Sequence, residues 1–316
     1  MTTKFAITFA GQGSQSIGMM AGFTDSSAAI VKRTFEEASE SIKTDLWDMI
    51  ANGPVEALAQ TVNTQPVMLA AGVATYRAWL QAGGRVADLY AGHSLGEYTA
   101  LVAAGAISFA DAVPLVRFRA QAMQDAVPEG TGGIAAILGL EVEAVRALCI
   151  DAAEGEVLEA VNLNSPGQIV IAGHKTAVER AMVLAKERGA KRALLLPMSV
   201  PSHCALMKPA AEKLAQYLQG VTVTVPVMPV IQNADVTAFD NVAAIKQALI
   251  EQLYRPVRWI ETIQHLAAQG ASHVIECVPG KILTGLNKRI DTTLNCLAIS
   301  DSATLEAAIV QTEARI

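Results

Sequence analysis

The segment Gly92-His93-Ser94-Leu95-Gly96 has the form GxSxG, which is typical of the turn that presents a nucleophilic serine. The glycines let the chain bend sharply, so the Ser94 hydroxyl would project from the turn. A helix after the turn would direct its N-terminal amides and dipole toward a developing oxyanion. The alternative is an ordinary glycine-rich turn with an incidental serine. The motif predicts acyl transfer at Ser94, provided that a base lies nearby.

A serine hydroxyl is a weak nucleophile until a base takes its proton, and the chain contains five histidines. His93 adjoins the serine, His174 falls within a separate small unit, and His265 and His273 come late in the chain. His203 lies in an extended, proline-containing segment that leads into a helix. A lone histidine is often structural, but His203 is the best placed of the five to act as the base.

A second glycine-containing turn, Gly11-Gln12-Gly13, follows the first apolar segment of the chain. It could cradle a phosphate, although the third glycine of GxGxxG is replaced here by Ser16. It could instead offer a backbone amide to an oxyanion, as a separate loop does in serine hydrolases. It could also be a tight turn without a function. Periodicity does not choose among the three.

Strands and helices alternate around these turns. The pattern predicts a strand before each turn and, after an inserted unit, further helices and strands. The predicted elements are strands at Lys4–Ala10, Val86–Ala91, Val221–Val225, Val230–Gln232 and His273–Cys277, and helices at Asn63–Ala82, Glu97–Ala104, Ser108–Ala126, Val242–Leu253 and Lys281–Ile290, with one more beginning near Ser202 or His203. Such alternation favours a mostly parallel, covered sheet.

Residues 128–199 have a different pattern, with predicted elements in the order βαββαβ. This order is that of a ferredoxin-like unit of about 70 residues. The prediction is therefore an α/β fold: an α/β-hydrolase-like, parallel-sheet core from residues 1–127 and 200–316, which carries the nucleophile turn, with a ferredoxin-like subdomain inserted at 128–199.

Composition narrows the class of protein. Of 316 residues, 52% are apolar and 17% charged, and acidic residues exceed basic ones by 30 to 24, which disfavours both disorder and nucleic-acid binding. The longest uncharged run, Leu214–Ala234, contains two prolines and a glycine, so no membrane span is expected. The four cysteines form no CxxC pair, and the N-terminus lacks a signal-peptide core. We expect a cytoplasmic protein without a metal site or disulfides.

Taken together, the motifs resemble malonyl-CoA:acyl-carrier-protein transacylases of bacterial type II fatty-acid synthesis, over essentially the whole chain. The matching motifs are Gly11-Gln12-Gly13-Ser14-Gln15, Asn63-Thr64-Gln65-Pro66, Gly92-His93-Ser94-Leu95-Gly96-Glu97-Tyr98, Arg119 ahead of Met123-Gln124, Val200-Pro201-Ser202-His203-Cys204, and Gln252-Leu253-Tyr254 before Pro256-Val257-Arg258-Trp259. Their joint occurrence in this order is highly specific.

The resemblance implies a role for each motif. Ser94 would attack the thioester of malonyl-CoA, and His203 would take its proton. The main-chain carbonyl of Gln252 would orient the imidazole, and the amides of Gln12 and Leu95 would bind the oxyanion. The thiol of the phosphopantetheine arm of acyl carrier protein would then attack the malonyl-serine ester in a ping-pong exchange, with no permanently bound cofactor.

Malonyl differs from acetyl by a free carboxylate, and a buried carboxylate requires a partner. An arginine offers two parallel hydrogen bonds to it. The resemblance assigns this role to Arg119, whereas Arg117, two residues earlier, is expected to be an ordinary helix residue.

The inserted unit is expected to cover the cleft and exclude water. Lys191 and Arg192, with Lys208, Lys288 and Arg289, could bind an acidic carrier protein, although each could equally be plain surface charge. The resemblance further implies a monomer. Cys204 adjoins the base, a poor position from which to be activated by it.

Two positions depart from the family pattern, Ala10 before Gly11 and Val278 within Cys277-Val278-Pro279-Gly280, and only local backbone changes are expected. Three other functions stay open. A serine thioesterase or esterase would need an acid between serine and histidine in the chain, a scaffold would have lost the reactive residues, and a transacylase of a polyketide or malonate-decarboxylase system would share all the motifs.

Overall fold

The computed structural model describes residues 4–197, 200–277 and 280–313, and its strands form two sheets. The strands are, in chain order, β1 Phe5–Phe9, β2 Leu89–Gly92, β3 Gly132–Leu138, β4 Leu158–Ser165, β5 Gln168–His174, β6 Arg192–Leu195, β7 Val230–Ile231, β8 His273–Cys277 and β9 Asn295–Ile299. The helices are α1 Asp25–Ile42, α2 Leu46–Asn52, α3 Val55–Ala59, α4 Thr61–Gln81, α5 Gly96–Ala103, α6 Phe109–Gln124, α7 Val142–Ala153, α8 Lys175–Glu187, α9 Lys208–Gln219, α10 Val242–Gln252, α11 Trp259–Ala268, α12 Ile282–Ile290 and α13 Ser302–Glu313.

Five strands form a parallel sheet in the order β7-β2-β1-β8-β9. In the centre, Ile7 pairs with Tyr90 on one side and with Ile275 on the other. Every residue of β1, β2 and β7 is buried, so both faces of the sheet are covered and the strands are apolar without alternation. Because the strands are parallel, the turns after β1, β2 and β7 meet at one edge.

The other four strands form an antiparallel sheet in the order β4-β5-β3-β6. The chain order is β3-α7-β4-β5-α8-β6, the βαββαβ arrangement predicted from the sequence. Side chains alternate between its faces: Ile137 and Ile171 pack with α7 and α8, whereas Ile134 and Val170 belong to a separate cluster on the opposite face. The predicted fold class is confirmed.

The antiparallel sheet is hydrogen-bonded to the parallel-sheet unit through the α10–α11 connection and through α12. The Leu163 amide donates to the Val257 carbonyl at 2.9 Å, and the Val257 amide donates to the Val161 carbonyl at 2.8 Å. Arg289 on α12 donates to Ser165 and Gln168 of the antiparallel unit. Backbone hydrogen bonds and the Arg289 side chain thus both connect the two units.

Two local predictions were wrong. Residues Val221–Val225 form no regular strand. Val223 makes an isolated bridge to Ile107, and the Thr224 amide donates to the Ala106 carbonyl in the α5–α6 connection. The helix expected from Ser202 or His203 begins later, with a 3₁₀ turn at Ala205–Met207 followed by α9. His203 has a φ of 65°, which no right-handed helix contains.

Ser199, the predicted end of the inserted unit, and Val278 lie outside the described residues. In the part of the chain that is described, no helix has both the length and the apolar character that crossing a membrane requires.

Candidate active site

Ser94 lies in the turn between β2 and α5, where its backbone has a φ of 52°. Such left-handed values cost about 1–3 kcal/mol for a residue with a Cβ and persist only where neighbouring contacts enforce them. The turn is so tight that a Cβ built on Gly92 would lie 1.9 Å from the carbonyl carbon of Gly96. Only glycine can occupy position 92, and the bend it permits leaves Ser94 lining the cavity between the sheets.

His203 contacts Ser94 from the segment before the 3₁₀ turn. The Ser94 hydroxyl donates to His203 Nε2 at 2.7 Å, and His203 Nδ1 donates to the backbone carbonyl of Gln252 at 2.7 Å. A carbonyl can only accept, so Nδ1 carries the proton and Nε2 is left as the acceptor. This tautomer is the one that a general base requires.

The surroundings of His203 also keep it uncharged. Burial, aided by the positive charge of Arg119, lowers the pKa of His203 from the usual 6.5 to about 3. The imidazole is therefore neutral at pH 7 and can accept the serine proton.

Arg119, on α6, is completely buried next to the serine. Its guanidinium donates to the side-chain oxygens of Gln65 at 2.8 Å and Gln252 at 2.9 Å, and to Ser94 Oγ at 3.3 Å. The Tyr98 ring lies under it, 5.3 Å from the guanidinium carbon. All three acceptors are neutral, so the arginine keeps a full positive charge that an anionic substrate group could neutralise.

Gln12 lines the same cavity as Ser94, and Leu95 directly follows Ser94 in the chain. A Cβ built on Gly11 would lie 2.6 Å from the His93 carbonyl oxygen and 3.6 Å from the Leu95 amide nitrogen, so the loop after β1 touches the serine turn. Within residues 4–197, 200–277 and 280–313, neither the Gln12 amide nor the Leu95 amide donates to a protein acceptor. Two free N–H groups at this point can receive an oxyanion.

The cavity over Ser94 has a volume of about 580 Å³ and is walled by both sheets. The parallel unit contributes the turns at Ala10–Gln15 and His93–Ser94, and the antiparallel unit contributes Ile134, Val170 and Asn164. The side-chain oxygen of Asn164 lies 2.8 Å from His93 Nε2, which ties the two walls together. Burial lowers the pKa of His93, so this ring is neutral as well.

Lys191 and Arg192 lie at the start of the edge strand β6 and are exposed. Neither lines the cavity that contains Ser94. Of the other basic residues considered above, Lys208 and Lys288 are exposed, and Arg289 joins α12 to the antiparallel unit.

The structure places Cys204 away from reactive chemistry. Its thiol is fully buried and lies 3.1 Å from the Pro201 carbonyl oxygen, to which it donates. Burial raises its pKa to about 12, so it stays protonated at neutral pH.

Sequence reasoning gave no individual role to three side chains of the network around Ser94. Gln65 and Glu97 fall inside motifs already recognised, whereas Asn233 was missed. Asn233 comes two residues after β7, at the carboxyl edge of the strand beside β2. That position is where ligand-binding groups collect in parallel sheets, and this rule is the signal that could have found it.

Comparison with known proteins agrees with this geometry. A family model described as an acyl transferase domain matches residues 7–299. The malonyl CoA-acyl carrier protein transacylase of Salmonella typhimurium is 54% identical over 309 residues, which are 98% of this chain and 100% of that protein. The crystal structure of the acyl-carrier-protein S-malonyltransferase of Burkholderia pseudomallei has a TM-score of 0.95 at 56% identity, covering 98% of this chain and 100% of that one.

A malonyl-transacylase solved in complex with its type II polyketide acyl carrier protein is 50% identical, with a TM-score of 0.95, and covers 98% of this chain and 100% of that one. The similarity thus extends through both sheets and all of the cleft between them. The chain belongs to the malonyl CoA-acyl carrier protein transacylases of the acyl transferase family.

Proposed function

We propose that this chain transfers the malonyl group of malonyl-CoA to the phosphopantetheine thiol of acyl carrier protein through a malonyl-serine intermediate, and so supplies fatty-acid elongation. The observation that carries the proposal is the fully buried, uncompensated Arg119 at 3.3 Å from Ser94 Oγ. A single methylene separates the malonyl carboxylate from the thioester carbonyl, so a carboxylate beside the reacting carbon fits this arginine.

In the first half-reaction, His203 Nε2 takes the Ser94 proton as Oγ bonds to the thioester carbonyl carbon. The Gln12 and Leu95 amides receive the negative charge on the carbonyl oxygen. The tetrahedral intermediate collapses as its carbon–sulfur bond breaks, and the departing CoA sulfur takes the proton from His203. The malonyl group is left as an ester on Ser94.

In the second half-reaction, the phosphopantetheine thiol gives its proton to His203 and its sulfur attacks the ester. The carbon–oxygen bond to Ser94 breaks, and the serine recovers the proton from the imidazolium. Throughout both steps, the Gln252 carbonyl accepts the hydrogen bond from His203 Nδ1–H and so orients the ring. A carboxylate at this position, as in serine hydrolases, is not needed for the exchange.

The subdomain division supports transfer over hydrolysis. We assign residues 1–127 and 200–316 to the unit that holds the reacting groups, and residues 128–199 to the unit that covers them. The antiparallel sheet limits access of water to the ester, while a flexible arm can still reach it along the cleft. The free state of all four buried cysteines is compatible with the cytoplasm, where we place the protein.

Lys191 and Arg192 are proposed to attract the acidic carrier from the exposed edge of β6. Changing both to glutamate should raise the KM for carrier about tenfold at low salt and less at high salt, with acylation by malonyl-CoA unchanged. Lys32→Glu on α1, which lines no part of the cleft, is the control.

The first experiment is intact-mass analysis after mixing with malonyl-CoA, followed by peptide mapping. We expect a malonyl adduct on Ser94, no adduct in Ser94→Ala, and discharge of the adduct on adding carrier protein. Release of CoA with no lasting adduct and no dependence on carrier would instead identify a thioesterase. Using fatty-acid and polyketide carriers in parallel then separates the two pathways that share this chemistry.

A further inference from the structure

Asn233 makes a two-point contact across the nucleophile turn. Its side-chain oxygen accepts the Ser94 N–H at 2.7 Å, and its side-chain nitrogen donates to the Gly92 carbonyl at 2.6 Å. The two contacts require an acceptor at one end of the group and a donor at the other, which a carboxamide provides. One side chain therefore joins the backbone that enters the turn to the backbone of the serine itself.

Asn233 is in turn held by Glu97. The backbone N–H of Asn233 donates to Glu97 Oε2 at 2.6 Å, and both residues are almost wholly buried. Glu97 lies in the first turn of α5, directly after the nucleophile turn. Burial raises the pKa of its carboxyl to about 8, so at neutral pH the group is mostly an uncharged acid.

These contacts hold the strained, left-handed backbone of Ser94. Ser94 has a φ of 52°, and its carbonyl also accepts from the Gln252 side chain at 2.9 Å. Side chains from two different elements therefore hold both backbone groups of the serine. With the Ser94 N–H occupied, the next amide, that of Leu95, is the one left without an acceptor among the described residues. Catalytic groups need placement within about 0.5 Å, which an unsupported left-handed turn would not maintain.

We propose that Asn233 is a positioning residue that holds Ser94 in the left-handed conformation in which its hydroxyl meets His203, and that Glu97 holds Asn233 in place. The proposal rests on Ser94 being the nucleophile, as proposed above. It assigns Asn233 no contact with substrate and no part in malonyl recognition.

The test is the rate at which a small, uncharged fluorophosphonate labels Ser94, measured by intact mass. This probe needs an activated serine but neither the malonyl pocket nor a carrier. Asn233→Ala should lower the limiting labelling rate about 10- to 100-fold, because a misplacement near 1 Å costs that much. The probe concentration at half-saturation should stay within about twofold, since the cleft wall is unchanged.

The matched control is Gln232→Ala. Gln232 is the neighbouring residue and equally buried, and in the described part of the chain neither polar atom of its side chain has a hydrogen-bond partner. Its truncation should lower the melting temperature through a cavity while leaving labelling within about twofold. The comparison separates loss of stability from loss of positioning.

Two conservative variants add a readout that does not depend on truncation. Asn233→Asp keeps the acceptor for the Ser94 amide but loses the donor to Gly92 unless the new carboxyl is protonated. Its labelling rate relative to the natural protein should therefore rise as pH falls from about 9 to about 6, since burial raises a carboxyl pKa. Glu97→Gln keeps a neutral acceptor and should label at close to the natural rate, whereas Glu97→Ala should not.

Equal labelling rates for Asn233→Ala and Gln232→Ala would overturn the proposal, provided that Ser94→Ala abolishes labelling. Labelling that survives in Ser94→Ala would overturn the assignment of the nucleophile instead. If Asn233→Ala does not fold, a pH-independent rate ratio for Asn233→Asp decides against the proposal.

Discussion

The two sheets contribute different kinds of group to the cleft. Among the described residues, the side chains that contact Ser94 all come from the parallel unit: Arg119 on α6, His203 before α9, Asn233 after β7 and Gln252 at the end of α10. The cavity wall from the antiparallel unit consists of aliphatic residues and the amides Asn162, Asn164 and Gln168, with no ionisable side chain among its described residues. We accordingly expect the parallel unit to carry the chemistry and the antiparallel unit to control access and polarity.

The two units meet separate requirements of the reaction. The reacting groups need precise, mutually supporting hydrogen bonds, which a rigid parallel sheet edge provides. The wall needs to exclude water without adding a competing base or charge. If the division holds, changes on the parallel side should affect rate and selectivity, while changes on the antiparallel side should affect the fate of the ester.

The largest effect is expected for His203→Ala. Without a base the rate of Ser94 acylation should fall by about 10⁴ or more, measured by single-turnover mass analysis with malonyl-CoA. His174→Ala, which removes a histidine of the antiparallel unit that accepts from the Val157 amide, should retain its rate within about threefold. A His203→Ala rate within tenfold of the natural one would mean that the base has been misassigned.

Arg119→Ala should come next and should affect selectivity. Its kcat/KM for malonyl-CoA should fall about 10²-fold, because a buried carboxylate loses its charged partner, while acetyl-CoA should gain relative to malonyl-CoA. Competition between the two thioesters, read as adduct masses, measures this. The control is Arg117→Ala on the same helix, whose guanidinium contacts Ile42 and Thr44 instead. Unaltered preference in Arg119→Ala would remove the basis for a carboxylate site.

Val170→Ala tests the wall. Val170 lines the cavity and is nearly buried, so the smaller side chain should admit water and speed hydrolysis of the malonyl ester about three- to tenfold, with transfer to carrier within about twofold. Val183→Ala is the same change at an exposed position of α8 and should alter neither. A fall in transfer larger than the rise in hydrolysis would contradict the division between the two units.

The smallest effect on the acylation rate is expected when the pH is lowered. Because the pKa of His203 is about 3, the rate of acylation should stay flat between about pH 7 and pH 5 instead of halving near 6.5. The unfolded chain binds this proton below about 6.5 and the folded chain does not, so His203 lowers stability as pH falls from 6.5 toward 3. His203→Gln should accordingly lose less free energy of unfolding on acidification. A rate that halves near 6.5 would place this histidine in contact with water.

Much of this arrangement was predictable from residue patterns. The βαββαβ order follows from alternation and turn residues within residues 128–199, and the bend at Ser94 follows from glycines that no larger residue can replace. These features could be predicted because each depends on nearby residues only, through backbone sterics or a single repeating period.

The remaining parts depend on contacts between distant segments. Asn233 meets Ser94 across 139 residues, and Gln252 meets it across 158, so both contacts follow from the packing of distant segments. The sequence motif marked Gln252 only for its main-chain carbonyl and gave its carboxamide no role. Val221–Val225 has strand-like residues, but the Thr224 amide bonds to the α5–α6 connection and the Val221 amide to Leu218 of α9, not to a strand. In these cases the local structure depends on tertiary contacts, which the intrinsic preferences of the residues do not predict.

The group that contacts Nδ1 of His203, the proposed base, belongs to the peptide backbone. Replacing residue 252 with any other amino acid leaves a carbonyl at that position, so a scan of side-chain deletions would overlook its part in the reaction. Gln252→Ala would report only on the separate contacts of its carboxamide with Arg119 and the Ser94 carbonyl. As the proposed base, His203 would therefore keep its orientation under side-chain mutations at position 252, whereas a histidine oriented by an aspartate loses its partner when that residue is mutated.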